Sequence, residues 1–359
     1  MLQSVRLFRG GPPAAPEISS PGVGSFLDSL THTLTGLALS RAGLNRLSPH
    51  AAFMLALAAN APDIDVLSAA GGALSYLQYH RHFTHALLAI PILAILPVMA
   101  AQAFFRGGIK FAGAYLLSLA GVASHVALDY TNIYGVRLKL PFSNAWFRLD
   151  ALSIVDVWIW AVLLVSVLGP ALVRLVNSEI GARPRSRYPG RGFPLLALCF
   201  LVLYVFGRSM LHRRATAVLE SRLYEDSIPV RTAVFPGPAS LFRWRGLVEG
   251  QRFYVLYDLN LREDFDPASG RIFYKPAAGP EIEAARRTLV FRRFLEFAQF
   301  PLWRLVPMNE PEGAVRVEAM DLRFGEPPDK RFVATAILDR KLNVQHAWFT
   351  FGLRERPTR

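Results

Sequence analysis

HRHFTHALLAIPILAILPVMAAQAFF, residues 80–105, sets three histidines and an arginine at the mouth of a run that is otherwise almost wholly apolar. The apolar part, Phe83–Phe105, exceeds the roughly 20 residues that cross a bilayer as a helix. Three more runs match it: Ile109–Tyr130, Ala151–Val176 and Phe193–His212. The whole chain agrees, because 359 residues at 52% hydrophobic and a mean hydropathy of +0.27 exceed what soluble domains of this length carry. The expected fold is a polytopic α-helical membrane bundle of four long spans and two short helices, followed by a soluble α+β domain.

The short helices are predicted over 26–46, FLDSLTHTLTGLALSRAGLNR, with Asp28 or Ser29 capping its start, and over 49–62, with Pro49 in the first turn. They complete a membrane domain over 26–212. Residues 1–25 place Gly, Pro and Ser after Arg6 and Arg9, with no apolar core. They read as a disordered extension rather than a signal peptide. Over 213–359 the period of two in RFYVLYDLNL (252–261) and RFVATAILDR (331–340) predicts strands. Between them EIEAARRTLVFRRFLEFAQF (281–300) predicts one amphipathic helix.

The net charge of +13 invites a nucleic-acid reading. Much of the excess, however, lies in Arg174, Arg183, Arg185, Arg187 and Arg191, between two spans, where a positive-inside loop belongs. No aromatic-interleaved basic motif accompanies it, so no nucleic-acid partner is expected. The single cysteine, Cys199, excludes an intramolecular disulfide. Placing Arg41 and Arg46, Arg106 and Lys110, and Arg174–Arg191 on the cytoplasmic side gives a consistent alternation of six passes. Arg213 and Arg214, just past the last span, run against that count. By it, His32, Asp63, Asp65, His80, His82, His85, His125 and Asp129 all reach the outer face of a bacterial cytoplasmic membrane. The C-terminal domain follows on the same, periplasmic, side.

Those eight residues have metal-ligand chemistry. His82 and His85 are three apart and His125 and Asp129 four apart, so on a helix each pair shares a face. PDID (62–65) adds two carboxylates on a Pro-led turn, and His32 another imidazole. Imidazole with carboxylate suits Zn²⁺, Mn²⁺ or Fe. Eight ligands exceed the need of one tetrahedral ion, which leaves room for outer partners or a second ion. Each group also has a plain structural reading. His32 would be hydrogen-bonded to backbone, Asp63 and Asp65 would cap a turn, His80 would be solvated, and His125–Asp129 would be interhelical glue. Arg81 is a candidate clamp for an anionic substrate, against a snorkelling role at the interface. Asp156 is a second-tier candidate, against a helix-capping role. His50, His212 and His346 read as interfacial or solvated.

With DSLTHTLTGLALSRAGL (28–44), PDID, HRHFTH (80–85) and HVALDYTN (125–132) in hand, the chain resembles the YdjM-type family of LexA-binding, inner-membrane-associated proteins. The resemblance covers roughly residues 26–175. It carries the family's motifs onto His32, Asp63, Asp65, His80, Arg81, His82, Thr84, His85, His125 and Asp129. It implies a metal-dependent hydrolase, through distant similarity to zinc-dependent phospholipase C, whose relatives bind several zinc ions. The shorter members lack a tail like 213–359.

The expected function is therefore membrane-bound, metal-dependent hydrolysis of a phosphoester or ester of a lipid or amphiphile. Zinc is the first choice of metal, Arg81 would hold the anionic group, and one of Asp63, Asp65 or Asp129 left off the metal would serve as the base. The competing reading is a non-catalytic metal-binding membrane protein, either an envelope scaffold or regulator, or a transporter. Transport calls for polar residues at several depths, whereas here they gather at one end.

Overall fold

The computed structural model describes residues 23–105, 107–181, 190–237 and 239–352. Residues 1–22, and Arg183, Arg185 and Arg187 of the basic loop, lie outside the described residues. The helical region holds α1 (Val23–Ala42), α2 (Ala51–Ala58), α3 (Ala73–Tyr79), α4 (Ala89–Leu93), α5 (Ile95–Phe104), α6 (Phe111–Thr131), α7 (Val157–Glu179) and α8 (Gly192–Glu220). A 3₁₀ helix, Ala61–Gly71, carries the PDID stretch.

By length and composition α6, α7 and α8 qualify as membrane spans. Two bent pairs, 51–58 with 61–71 at 44° and 73–85 with 89–104 at 86°, raise the number to as many as five. The expected straight span Phe83–Phe105 is therefore corrected to a broken one. Ala86 is extended after the short 3₁₀ turn Phe83–His85, and the Leu87 N–H donates across to Leu138 O at 3.0 Å instead of continuing a helix. Irregular backbone is tolerated at such a place because neighbouring protein satisfies it.

Small residues bring α1, α2 and α6 close. A Cβ added at Gly36 would lie 2.5 Å from Leu55 O, and one at Gly121 would lie 2.6 Å from the Ala58 Cβ. Without those side chains the helices pack at near-backbone distance, which substitutes for hydrophobic drive between spans. Ala58, Ala94 and Val122 then form one buried layer, with Ala51, Ala101 and Ala114 in another deeper along the helices.

α8 runs past the expected boundary at 213 and ends at Glu220, seated on the first sheet. That sheet is antiparallel, with β1 (Arg231–Pro236), β2 (Arg243–Glu249), β3 (Phe253–Asn260) and β4 (Arg271–Tyr274) side by side. The second is also an antiparallel meander, of β5 (Pro301–Pro307), β6 (Val315–Asp321), β7 (Arg331–Leu338) and β8 (Val344–Gly352). Strand alternation builds the layers: Phe253, Val255, Tyr257 and Leu259 face α8, while Tyr254 and Leu256 face the second sheet.

The helix expected over 281–300 is two, α9 (Pro280–Arg286) and α10 (Leu289–Phe297). Thr288 is extended and its hydroxyl accepts from Phe291 N–H, capping α10 afresh. The break lets Ile282 and Ala285 on one helix, and Phe291, Phe294 and Phe297 on the other, enter a single core. Leu77 of α3 and Tyr134 of the loop after α6 join that core. The second sheet with its helices is thus packed directly against the polar end of the helical region.

Candidate metal centre

Four chain segments deliver the polar residues. α6 presents His125 and Asp129 one turn apart, and α1 presents Asp28 and His32 with the same spacing in reverse order. The 3₁₀ stretch supplies Asp63 and Asp65, and the loop after α3 supplies His80, Arg81 and His85. Arg81 has φ +57, a left-handed conformation disfavoured for a bulky residue. That turn aims its N–H at Asp65 and its side chain inward.

At the centre, His85 Nε2 and His125 Nε2 stand 3.1 Å apart. Asp129 Oδ2 is 3.1 Å from the first and 3.4 Å from the second, and Asp63 Oδ1 is 3.8 Å and 3.5 Å away. His125 Nδ1 lies 2.6 Å from Ala59 O, which can only accept, so the ring proton sits on Nδ1. Thr84 donates its hydroxyl to Asp65 Oδ2 at 2.7 Å, which leaves the Thr84 oxygen to accept from His85 Nδ1 at 3.0 Å. In its neutral form each ring therefore turns a bare Nε2 lone pair toward the same point. Two lone pairs and two carboxylates facing one another repel unless a cation lies among them.

A second group adjoins the first. His32 Nε2 is 3.3 Å from Asp129 Oδ1 and 3.6 Å from Asp28 Oδ1, and its ring stacks on that of His125 at 3.7 Å. Neither nitrogen of His32 and neither oxygen of Asp129 receives a hydrogen bond, although all four are buried. Buried polar atoms without hydrogen bonds are expensive, and of these four only Asp129 Oδ1 has a fixed cation beside it, Arg81 at 3.1 Å. A third group, Asp63, Asp65 and His80, lies alongside, and all three sets have the reach of metal ligands.

The donor set fits a divalent cation. Four carboxylates, Asp28, Asp63, Asp65 and Asp129, face the single guanidinium of Arg81. With neutral imidazoles the net charge of the cluster is −3, which one divalent ion reduces to −1 and two convert to +1. Nitrogen with carboxylate oxygen suits zinc, manganese or iron alike, so the metal's identity is open.

The comparisons agree with the geometry. The family model described as "YdjM inner membrane protein" matches residues 27–215. The chain belongs to the YdjM family. A second model, the YfhP C-terminal alpha/beta plait domain, matches residues 280–353, which are α9, α10 and β5–β8. Over 335 residues the chain is 24% identical to uncharacterized protein YfhP of Bacillus subtilis (strain 168), covering 90% of this chain and 94% of the relative. No solved structure matches. The chain is thus a long YdjM-family membrane protein with a cluster able to hold a metal ion.

Within this YdjM-family chain the expected site residues fall into distinct places. His32, Asp63, His85, His125 and Asp129 converge on the two central groups. Asp65 is saturated, taking the Arg81 N–H and the Thr84 hydroxyl on Oδ2 and lying 2.8 Å from His80 Nδ1 through Oδ1. It orients His80 and His85 in the manner of an outer carboxylate. His80 stacks on Tyr76 at 4.5 Å. His82 does not join, because the chain is not helical there; its half-buried ring packs on Tyr79 and Phe83. Arg81 is buried and turned inward onto Asp28 (2.6 Å), Asp129 (3.1 Å) and Asn132 (2.9 Å), over the ring of Tyr134. Asp156 caps α7, accepting from Trp158 N–H and Ile159 N–H.

Three contributors were not singled out from sequence. Asp28 was expected to cap α1, yet α1 begins at Val23 and Asp28 faces the centre. The signal was available, since D-x-x-x-H at 28–32 mirrors H-x-x-x-D at 125–129. Asn132 and Tyr134, which hold Arg81, carry no such signal, because the loop that places them has no regular period.

Proposed function

We infer that the chain is a metal-dependent hydrolase acting on a phosphoester or ester of an amphiphile at the membrane boundary. The observation that carries this is the pair of Nε2 atoms 3.1 Å apart, flanked by Asp63 and Asp129, with both Nδ1 protons already engaged. Asp63, His85, His125 and Asp129 would hold one ion, and Asp28, His32 and Asp129 a second. A divalent cation there supplies Lewis acidity to a phosphoryl or acyl oxygen and makes water more acidic.

The residues divide the remaining tasks. His85 is held by Thr84 and Asp65 and His125 by the Ala59 carbonyl, so both stay fixed while a substrate exchanges. Arg81 locks Asp129 and Asp28 and limits their mutual repulsion. Asp63, the most open of the carboxylates at 18% side-chain exposure, would ligate the ion or, when off it, take a proton from water. This reading puts the centre and the α+β region on the outer side of a bacterial cytoplasmic membrane. Its support is that Arg41 and Lys110 lie at the helix ends remote from the cluster.

The alternative, a metal held for structure in a scaffold or regulator, draws on one observation. His32, His85, His125 and Asp129 are each no more than 1% exposed, and closed sites are the structural kind. Turnover separates the two readings. Full-length protein in micelles, loaded with zinc or manganese, is expected to hydrolyse an amphiphilic phosphoester or ester. The activity should disappear with chelator and in His85→Ala. Stoichiometric metal with no turnover of either substrate class would favour the structural role.

A further inference from the structure

A groove of about 340 Å³ opens on the flank of the helical region between α2, the 3₁₀ stretch and α5. Its walls are apolar: Leu57 and Ile64 on one side, Leu96 and Ala100 on the other. Leu57, Ile64 and Leu96 are 39%, 49% and 44% exposed, on elements whose composition is that of membrane segments. With these elements in the bilayer, the groove would open to the hydrocarbon phase rather than to water. Its polar residues, Asn60 and Asp63, lie at one end. Asp63 is the same carboxylate that stands 3.5 Å from His125 Nε2 and 3.8 Å from His85 Nε2. From that end the walls run toward the buried layers around Ala58 and then Ala51, away from the histidines.

We propose that this groove holds one acyl chain of a phospholipid, entering sideways from the bilayer and delivering the ester or phosphoester end to Asp63. The volume falls within the usual range of small-ligand sites. The apolar walls with Asp63, a candidate metal ligand, among their lining match an amphiphile. The inference rests on the hydrolase reading for its purpose, while binding of the chain can be tested without turnover. It also explains how a centre whose histidines are fully buried is reached: the half-open Asp63 belongs to both the centre and the groove.

The test uses full-length protein in vesicles of phosphatidylethanolamine and phosphatidylglycerol, doped with phosphatidylglycerol bearing a diazirine in one acyl chain. After irradiation and digestion, adducts are mapped by mass spectrometry. Labelling of 57–64 and 96–100 is expected to exceed that around Leu168 and Leu203, although those two are more exposed. Leu96→Trp and Ala100→Trp, which fill the groove from two positions, should each bring it down to the Leu168 level with bound metal unchanged. Labelling proportional to exposure, or labelling that survives both tryptophans, would overturn the proposal. Groove labelling with no turnover by metal-loaded protein would sink the hydrolase reading and leave the groove standing. Turnover with no groove labelling would do the reverse.

Discussion

The buried charges of the plait and those of the helical region are built on opposite principles. In the plait, Asp321 takes N–H bonds from Gln299 and Arg323 and pairs with the Arg323 guanidinium at 2.7 Å, while Arg323 also reaches Phe297 O and Ile133 O. Glu318 beside it pairs with Lys330 and Arg316 at 3.0 Å each. Three cations face two carboxylates, and both oxygens of Asp321 accept hydrogen bonds. In the helical region four carboxylates share one guanidinium, and the buried His32 and Asp129 end without hydrogen bonds. A saturated network is a structural device; an acid-heavy, nitrogen-rich and unsaturated one is able to take up a cation.

The comparison can be broken by mutation. Asp321→Ala leaves a buried Arg323 unpaired and should cost about 3–5 kcal/mol in detergent unfolding. Metal bound per folded chain should stay the same. Asp129→Ala should do the opposite. Metal affinity should fall by more than about 100-fold, while the stability of the metal-free protein shifts by no more than about 1 kcal/mol, since Arg81 keeps Asp28. Equal destabilisation by the two substitutions would erase the distinction. Asp65→Asn, which disturbs the orientation of His80 and His85 without removing a central ligand, should weaken metal binding by about 10–100-fold in a competition titration.

Asp150 lies between the two regions and sharpens the contrast. Burial, partly offset by the charge of Arg148 at 3.0 Å, pushes its carboxyl up to about 6 from 3.8. The folded state then binds that proton more tightly than the unfolded one, so stability is gained as pH falls from about 6 to 4 and lost as it rises. The wild type minus Asp150→Asn difference in unfolding free energy should show that slope, and a flat difference would remove Asp150 from the account. The smallest effect belongs to His82→Ala, for which metal affinity should stay well inside the roughly tenfold change of an outer ligand.

Part of the cluster was legible in the sequence, because His125 and Asp129, four apart, share a face of α6 wherever that helix lies. The sequence reading also put His32, Asp63, Asp65 and His85 beside them by counting basic loops, and these residues do lie together. The strands β3 and β7 were equally plain from their period of two. The failures share a cause. The run Phe83–Phe105 has the composition of a span, yet the hydrogen bonds that Asp65 takes from Thr84 and Arg81 N–H outweigh helical continuity there. The same irregular backbone removes His82 from the face of His85. Tertiary capping likewise divided 281–300, where Thr288 serves the core better as a cap than as a helical residue. Arg81, read as facing substrate, faces inward because Asp28 and Asn132 come from segments whose proximity no local pattern encodes.

Metal content of the purified full-length protein tests the central claim most directly. After growth with zinc and manganese and removal of loosely bound ions, the wild type should hold at least one divalent ion per chain. His85→Ala and His125→Ala, folded normally, should hold none. A wild type that binds no ion under those conditions, or variants that keep it, would contradict the assignment of the unsaturated cluster as a metal centre.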